Sequence, residues 1–138
     1  MITITRKLEF DAGHRVLGHE GKCKHLHGHR YVAEVTVGYD LGLDTLGRVV
    51  DFGVVKVKVG GWIDRHWDHN MLLRCDDPLW DAGSKILTRT PYRFESNPTA
   101  ENIAKKLFEV AGNLLTDLTV VRIRIWETPN CWADYDGE

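Results

Sequence analysis

The stretch "HGHRYVAEVTVGYD", residues 27–40, decides the fold. Tyr31, Ala33, Val35, Val37 and Tyr39 share one parity and Glu34 and Thr36 the other, the alternation of a β-strand that lays one face on a core. Run backwards, the apolar parity takes in His29 and His27, so two imidazoles leave the strand on the same side, two residues apart. The glycines and aspartates of "GYDLGLDTLGR" (38–48) predict a loop, and "VVDF" (49–52) the returning arm of a hairpin.

Working outward, "ITITRKLEF" (2–10) places Ile2, Ile4, Leu8 and Phe10 on one parity and reads as a half-buried strand. In "FGVVKVKVGGWIDRHWDHN" (52–70) the valines and paired glycines suggest a strand, yet Phe52, Val55, Val59, Trp62, Ile63 and His66 recur at helical spacing, which predicts a helix. A second helix is predicted in "NPTAENIAKKLFEVAGNLL" (97–115). Pro98 and Thr99 stand at its cap, Glu101 lies in its first turn, and Ile103, Ala104, Leu107, Phe108, Ala111, Leu114 and Leu115 form its stripe. "TVVRIRIWET" (119–128) reads as a closing strand with Val121, Ile123, Ile125 and Glu127 in phase. Two strands, two helices and a strand predict an α+β fold on an antiparallel sheet.

The 138 residues fit one domain spanning 1–138. With 43% apolar and 28% charged residues and a formal net charge of −2, no global field recruits nucleic acid or an acidic membrane. No apolar run approaches the roughly 18 residues of a membrane span, and "MITITRKLEFD" alternates where a signal peptide would be continuously apolar, so a cytoplasmic location is expected. Cys23, Cys75 and Cys131 are odd in number and scattered, which suits free thiols.

His27 and His29 on one strand face offer two of the three ligands of an open zinc site. His14 in "FDAGHR" (10–15) is the best third, because pairing the first two strands would bring it alongside. Read alone, an H-G-H triplet is equally a polar turn entering a strand. Cys23 in "KCKHLHGH" could close the site as a fourth ligand, though no C-x2-C or C-x4-C knuckle accompanies it, or act as a base or nucleophile between Lys22 and Lys24. His25 has no clear task. Asp68 beside His69 is half of an orienting pair, provided a helix end or loop lets neighbours face one another, and is otherwise a helix-terminal polar pair. Glu127 ends an apolar strand, where its charge calls for a donor such as an amidine-like N–H edge, or solvent.

Taken together, "FDAGHR", "CKHLHGH", "VVDF", "WDHN", "NPTAEN" and "WET" resemble, in order and over nearly the whole chain, the family of 6-pyruvoyl- and 6-carboxytetrahydropterin synthases. The resemblance implies the tunnelling fold: a four-stranded antiparallel sheet with two helices on one face, assembled as a dimer of trimers with active sites at subunit interfaces. It needs one more strand, around "TRTPYRF" (88–94) or split from the last segment. It implies Zn2+ on His14, His27 and His29, and Cys23 as the catalytic thiol. Asp68 and His69 become a proton relay lent by a neighbouring subunit, Glu127 the grip on the pterin's amino-pyrimidine edge, and Glu101 with Thr99 a second pterin contact. A cysteine three residues ahead of the H-G-H triplet resembles the bacterial 6-carboxytetrahydropterin synthase branch. The implied reaction converts 7,8-dihydroneopterin triphosphate to 6-carboxy-5,6,7,8-tetrahydropterin, releasing acetaldehyde and triphosphate, in deazaguanine (queuosine) biosynthesis. Arg15, Lys22, Lys24 and Arg30 are the cations available for the triphosphate. The competing readings are a pyruvoyl-forming synthase that only eliminates triphosphate, a non-catalytic zinc scaffold, and a pterin-binding module without catalysis. Gly13, where Ala or Ser is usual, the β-branched "KVKVGGW" and the tail after Glu127 depart from the pattern.

Overall fold

The computed structural model describes residues 1–138. Its strands are β1 (Thr3–His14), β2 (His27–Gly38), β3 (Asn70–Arg74), β4 (Tyr92–Phe94), β5 (Thr119–Thr128) and β6 (Cys131–Tyr135). Its helices are α1 (Phe52–Val55), α2 (Gly61–His66), α3 (Leu79–Gly83) and α4 (Ala100–Leu114). The sheet therefore has six strands, not four, in the order β4-β3-β1-β2-β5-β6. It is also mixed and not purely antiparallel, because β3 runs parallel to both β1 and β4. The extra strand expected around "TRTPYRF" occurs as β4; the last segment is not split but stays whole as β5, and β3 and β6 are further additions.

The "VVDF" arm does not form. Val49–Asp51 make no strand, and the antiparallel partners of β2 are β1 and β5. The physical reason is competition: both edges of β2 are already taken, and Asp51 serves instead as a helix cap, its carboxylate accepting from Gly53 N–H at 2.7 Å. The helical reading of the next segment holds. α1 continues through a π-helical stretch, Lys56–Gly60, directly into α2. Val55, Val59 and Ile63 on this run are buried, so tertiary burial overrides the β-preference of the valines. A Cβ at Gly60 would sit 3.2 Å from Leu8 Cδ2, so the glycine lets the helix approach β1 closely.

One core lies between the sheet and these helices. Leu8, Phe10 and Ala12 of β1, Tyr31, Ala33 and Val35 of β2, and Ile123 and Ile125 of β5 meet Val55, Val59 and Ile63 and the Ile103, Ala104, Leu107 and Ala111 stripe of α4. Both long helical segments thus cover one face, as expected. The other face is not simply wetted: Glu34 and Thr36 are buried there, Glu34 accepting from Trp126 Nε1–H at 2.5 Å and Thr36 sharing a 2.7 Å hydrogen bond with Thr5. No helix is long and apolar enough to cross a membrane.

Truncating Leu107, fully buried at the centre of the α4 stripe, removes packing on both layers. Leu107→Ala is expected to lower unfolding stability by about 2–5 kcal/mol, measured by urea denaturation.

Candidate functional site

The β1–β2 register sets His14 opposite His27 and Ala12 opposite His29. All three imidazoles leave the sheet on the core side, at the end of the hairpin remote from the chain's N-terminus. Their ring centroids lie 4.6, 5.1 and 4.8 Å apart for the pairs 14–27, 14–29 and 27–29. One nitrogen from each falls within 4.8 Å of the others, a spacing that suits a shared cation.

The hydrogen bonds fix the tautomers. His14 Nδ1–H donates to the Pro98 carbonyl at 2.6 Å and His27 Nδ1–H to the His25 carbonyl at 2.7 Å, since a carbonyl can only accept. Both Nε2 atoms consequently carry lone pairs, and they face each other at 3.1 Å. Two such lone pairs repel unless a proton or a metal ion lies between them. A proton is disfavoured, because burial, outweighing the Pro98 hydrogen bond, lowers the His14 pKa to about 4, with His27 and His29 pushing the same way. His29 shows the same deficit. Its Nε2 is buried without a hydrogen-bond partner, and burial, offset in part by Glu127, lowers its pKa. Two facing Nε2 atoms, with a third that has no hydrogen-bond partner beside them, fit a divalent cation, and backbone carbonyls hold two of the rings in orientation.

The sulfur of Cys23 lies outside this set. Cys23 sits in a single 3₁₀ turn, Lys22–Lys24, closed onto the end of β1 by the 2.8 Å hydrogen bond from Val16 N–H to its carbonyl. Asn97 anchors the same loop, its side chain accepting from Leu17 N–H and donating to the Leu17 carbonyl, both at 3.0 Å. Sequence reading assigned "NPTAEN" to a helix start but missed that Asn97 and the Pro98 carbonyl organise the histidine cluster and the cysteine loop together. A carbonyl leaves no mark in sequence; the asparagine before the capping segment was the only available signal.

Glu127 projects from β5 on the core side, with Oε1 3.4 Å from His29 Nε2 and no arginine or lysine partner. It shares a cleft of about 460 Å³ with Glu101, Cys131 and Trp132. Thr99 is the N-cap of α4, its hydroxyl accepting from Asn102 N–H at 3.2 Å. The structure therefore brings His14, His27, His29 and Glu127 together, opens Glu101 to the same side of Glu127, and gives Thr99 a capping bond.

Asp68 and His69 form a separate cluster with Asp11. His69 adopts φ 56°, a left-handed conformation that lets adjacent side chains face one another, and Asp68 Oδ2 accepts from its Nδ1 at 2.9 Å. Asp68 Oδ1 also accepts from Asp11 N–H at 2.9 Å. Burial pushes the Asp68 pKa up, but these hydrogen bonds and the charge of Arg30 outweigh it and hold it below the usual value. The His69 ring is 76% exposed, and no hydrogen bond joins it to Cys23 or to the three-histidine cluster.

Of the four cations near the metal motif, two are already engaged. Arg15 pairs with the fully buried Asp77 side chain, and Arg30 bridges Glu9 and Asp11 at 2.8 and 2.7 Å. Lys22 and Lys24 are exposed and have no carboxylate partner within 4.0 Å.

A sequence model described as "6-pyruvoyl tetrahydropterin synthase" matches residues 3–138. The chain belongs to this family. Relatives within it include proteins named 6-carboxy-5,6,7,8-tetrahydropterin synthase from Rickettsia bellii, 44% identical over 97% of this chain and 99% of that one, and from Aquifex aeolicus, 35% identical over 98% of each. Among solved structures, an uncharacterized protein from Wolinella succinogenes superposes with a TM-score of 0.84 at 23% identity, covering 99% and 98% of the two chains. The 6-pyruvoyl tetrahydropterin synthase of Caenorhabditis elegans does so with a TM-score of 0.72 at 24% identity, covering 99% and 96%. These likenesses establish the tunnelling fold for this family member.

The lowered His14 pKa makes apo stability depend on acid. Between the unfolded value of 6.5 and about 4, the unfolded chain binds a proton at His14 that the folded chain does not. Metal-stripped protein is therefore expected to lose stability as pH falls through that window, by about 3 kcal/mol from this group (2.5 pKa units at ~1.36 kcal/mol each), measured by chemical denaturation at stepped pH with chelator present.

Proposed function

We propose that this chain is a zinc-dependent 6-carboxy-5,6,7,8-tetrahydropterin synthase acting on 7,8-dihydroneopterin triphosphate, with water consumed and acetaldehyde and triphosphate released. The observation that carries the proposal is the pair of facing Nε2 lone pairs on His14 and His27, with the partnerless Nε2 of His29 beside them, in a chain whose relatives bear that name over nearly their whole length. His14, His27 and His29 are the proposed holders of Zn2+, leaving a fourth position for substrate. When bound there, the ion supplies Lewis acidity toward the substrate's side-chain oxygens.

The remaining work falls to this chain's own groups. Glu127, without an arginine or lysine partner, is suited to accept two N–H donors from an amino-pyrimidine edge, and Glu101 lines the same cleft. In this reading the pterin edge lies against Glu127 and its side chain is directed at the histidine cluster. Cys23 is the proposed acid–base group at the side-chain carbon, and its exclusion from the ligand set favours this role over a fourth-ligand one. Lys22 and Lys24 on either side of it remain available for the triphosphate, whereas Arg15 and Arg30 are committed elsewhere. Asp68 holds His69 in one orientation, and the exposure of that ring suits donation into the site of a neighbouring copy. A homo-oligomer with shared active sites, hexameric in the resembling family, is part of the proposal. So is supply of the product to deazaguanine (queuosine) synthesis.

The test is incubation of zinc-loaded protein with 7,8-dihydroneopterin triphosphate, with acetaldehyde and pterin products measured together. Acetaldehyde equal to substrate consumed is expected; a pyruvoyl product without acetaldehyde would reassign the reaction, and no consumption would reject the enzyme. Cys23→Ala is expected to retain stoichiometric zinc and lose turnover by about 10²–10⁴-fold, as removal of an acid–base group does, whereas loss of zinc would return the cysteine to the ligand set.

A further inference from the structure

Tyr31 lies two residues beyond His29 on the same strand face, is fully buried, and has no hydrogen-bond partner for its hydroxyl. Its ring is fixed on both sides. Phe10 stacks on it at 5.0 Å with the planes 14° apart, while His14 and His29 meet it edge-on at 5.9 and 5.4 Å. The phenol is thus a rigid donor packed against two of the proposed zinc ligands. A buried hydroxyl left without a partner is unfavourable by about 1–3 kcal/mol, so a strand that needed only an aromatic filler here is better served by phenylalanine. Phe10, directly opposite in the register, shows that this core accepts one.

Resting on the pterin synthase reading above, we propose that Tyr31 is a further catalytic residue, whose O–H donates to the substrate side-chain oxygen that gains negative charge beside the histidine cluster. The surroundings match what such stabilisation requires of the donor: its ring is held before the substrate arrives, and its hydroxyl is shielded from water and free of protein partners beside the histidine cluster. The proton stays on the tyrosine and no bond is made or broken at it. The competing use of the hydroxyl, as a packing or solvent-bridging group, predicts a different pattern of effects.

Tyr31→Phe separates them, since it removes one oxygen atom and leaves the ring. Zinc content, melting temperature and steady-state turnover of 7,8-dihydroneopterin triphosphate are measured side by side for wild type and variant. The expected result is unchanged zinc stoichiometry, a melting temperature equal to or above that of wild type, and kcat lower by about 10²–10³-fold, the effect of removing one oxyanion donor, with KM altered less than about threefold. A kcat within about threefold of wild type overturns the proposal while leaving the enzyme assignment intact. A variant that binds less zinc, melts earlier or fails to fold assigns the hydroxyl to structure and also overturns it. Wild-type protein that consumes no substrate removes the enzyme assignment and this role with it.

Discussion

Two imidazole lone pairs held 3.1 Å apart are the constraint on which the rest of the site depends. Strand pairing alone does not create it; the β1–β2 register only makes His14 and His27 neighbours. What turns their Nε2 atoms inward is the anchoring of each Nδ1 by a main-chain carbonyl, one from Pro98 at the start of α4 and one from His25 in the loop before β2. Sheet, loop and helix therefore meet at a point that is electrostatically unfavourable until a cation is shared. Binding of such a cation to the folded chain alone stabilises that chain by mass action, so metal binding and the docking of α4 on the sheet draw on the same free energy.

The segment Asn97–Thr99 shows how few residues are needed for this coupling. Asn97 ties down Leu17 through two hydrogen bonds and accepts from the Asn102 side chain, Pro98 presents its carbonyl to His14, and Thr99 caps α4. Displacement of α4 along the sheet would rotate His14 and release the loop carrying Cys23. The packing that holds α4 is correspondingly apolar and continuous, from Ala100 to Leu115 against β5 and the other helices. The order of site elements thus rests on core burial, which is strong and non-directional, and is refined by a handful of directional bonds.

Much of this was legible in the sequence, and the exceptions have physical causes. The parity of β2 from Tyr31 to Val37, the Ile103, Ala104, Leu107 and Ala111 stripe of α4 and the helical spacing of Val55, Val59 and Ile63 are local patterns and appear as read, whereas Tyr39 lies exposed beyond the end of β2. β3 has no local signature, because "NMLLR" does not alternate, and β4 is too short to show one and was expected only from the family resemblance; both are defined by parallel pairing with strands far away in the chain. "VVDF" reads as a strand locally, but β2 has no free edge for it. The same asymmetry holds at the site. The histidine-rich stretch and the Asp-His pair are visible as residue types, whereas the commitment of Arg15 to Asp77, 62 positions away, is set only by the fold. The Tyr31 hydroxyl was hidden for a related reason: in a strand of alternating apolar residues a tyrosine reads as core, and only the absence of a partner distinguishes it.

The separation of the two polar clusters carries a consequence for how the proposed chemistry is assembled. Proton exchange requires heavy atoms within about 3 Å or one bridging water. Within one chain, His69 is oriented by Asp68 but makes no hydrogen bond to the histidine cluster or to Cys23, and three-quarters of its ring faces outward. Its left-handed backbone is the kind of conformation that persists only where surrounding bonds enforce it, here the Asp11 carbonyl accepting from His69 N–H at 2.6 Å and Arg89 donating to the Asp68 carbonyl at 2.6 Å. A surface histidine held this firmly, with no partner of its own to serve, fits a site completed by a second copy. In the proposed homo-oligomer the chain supplies the three histidines and Cys23 to one proposed centre and an oriented imidazole to another, so that neither is whole until the chains assemble.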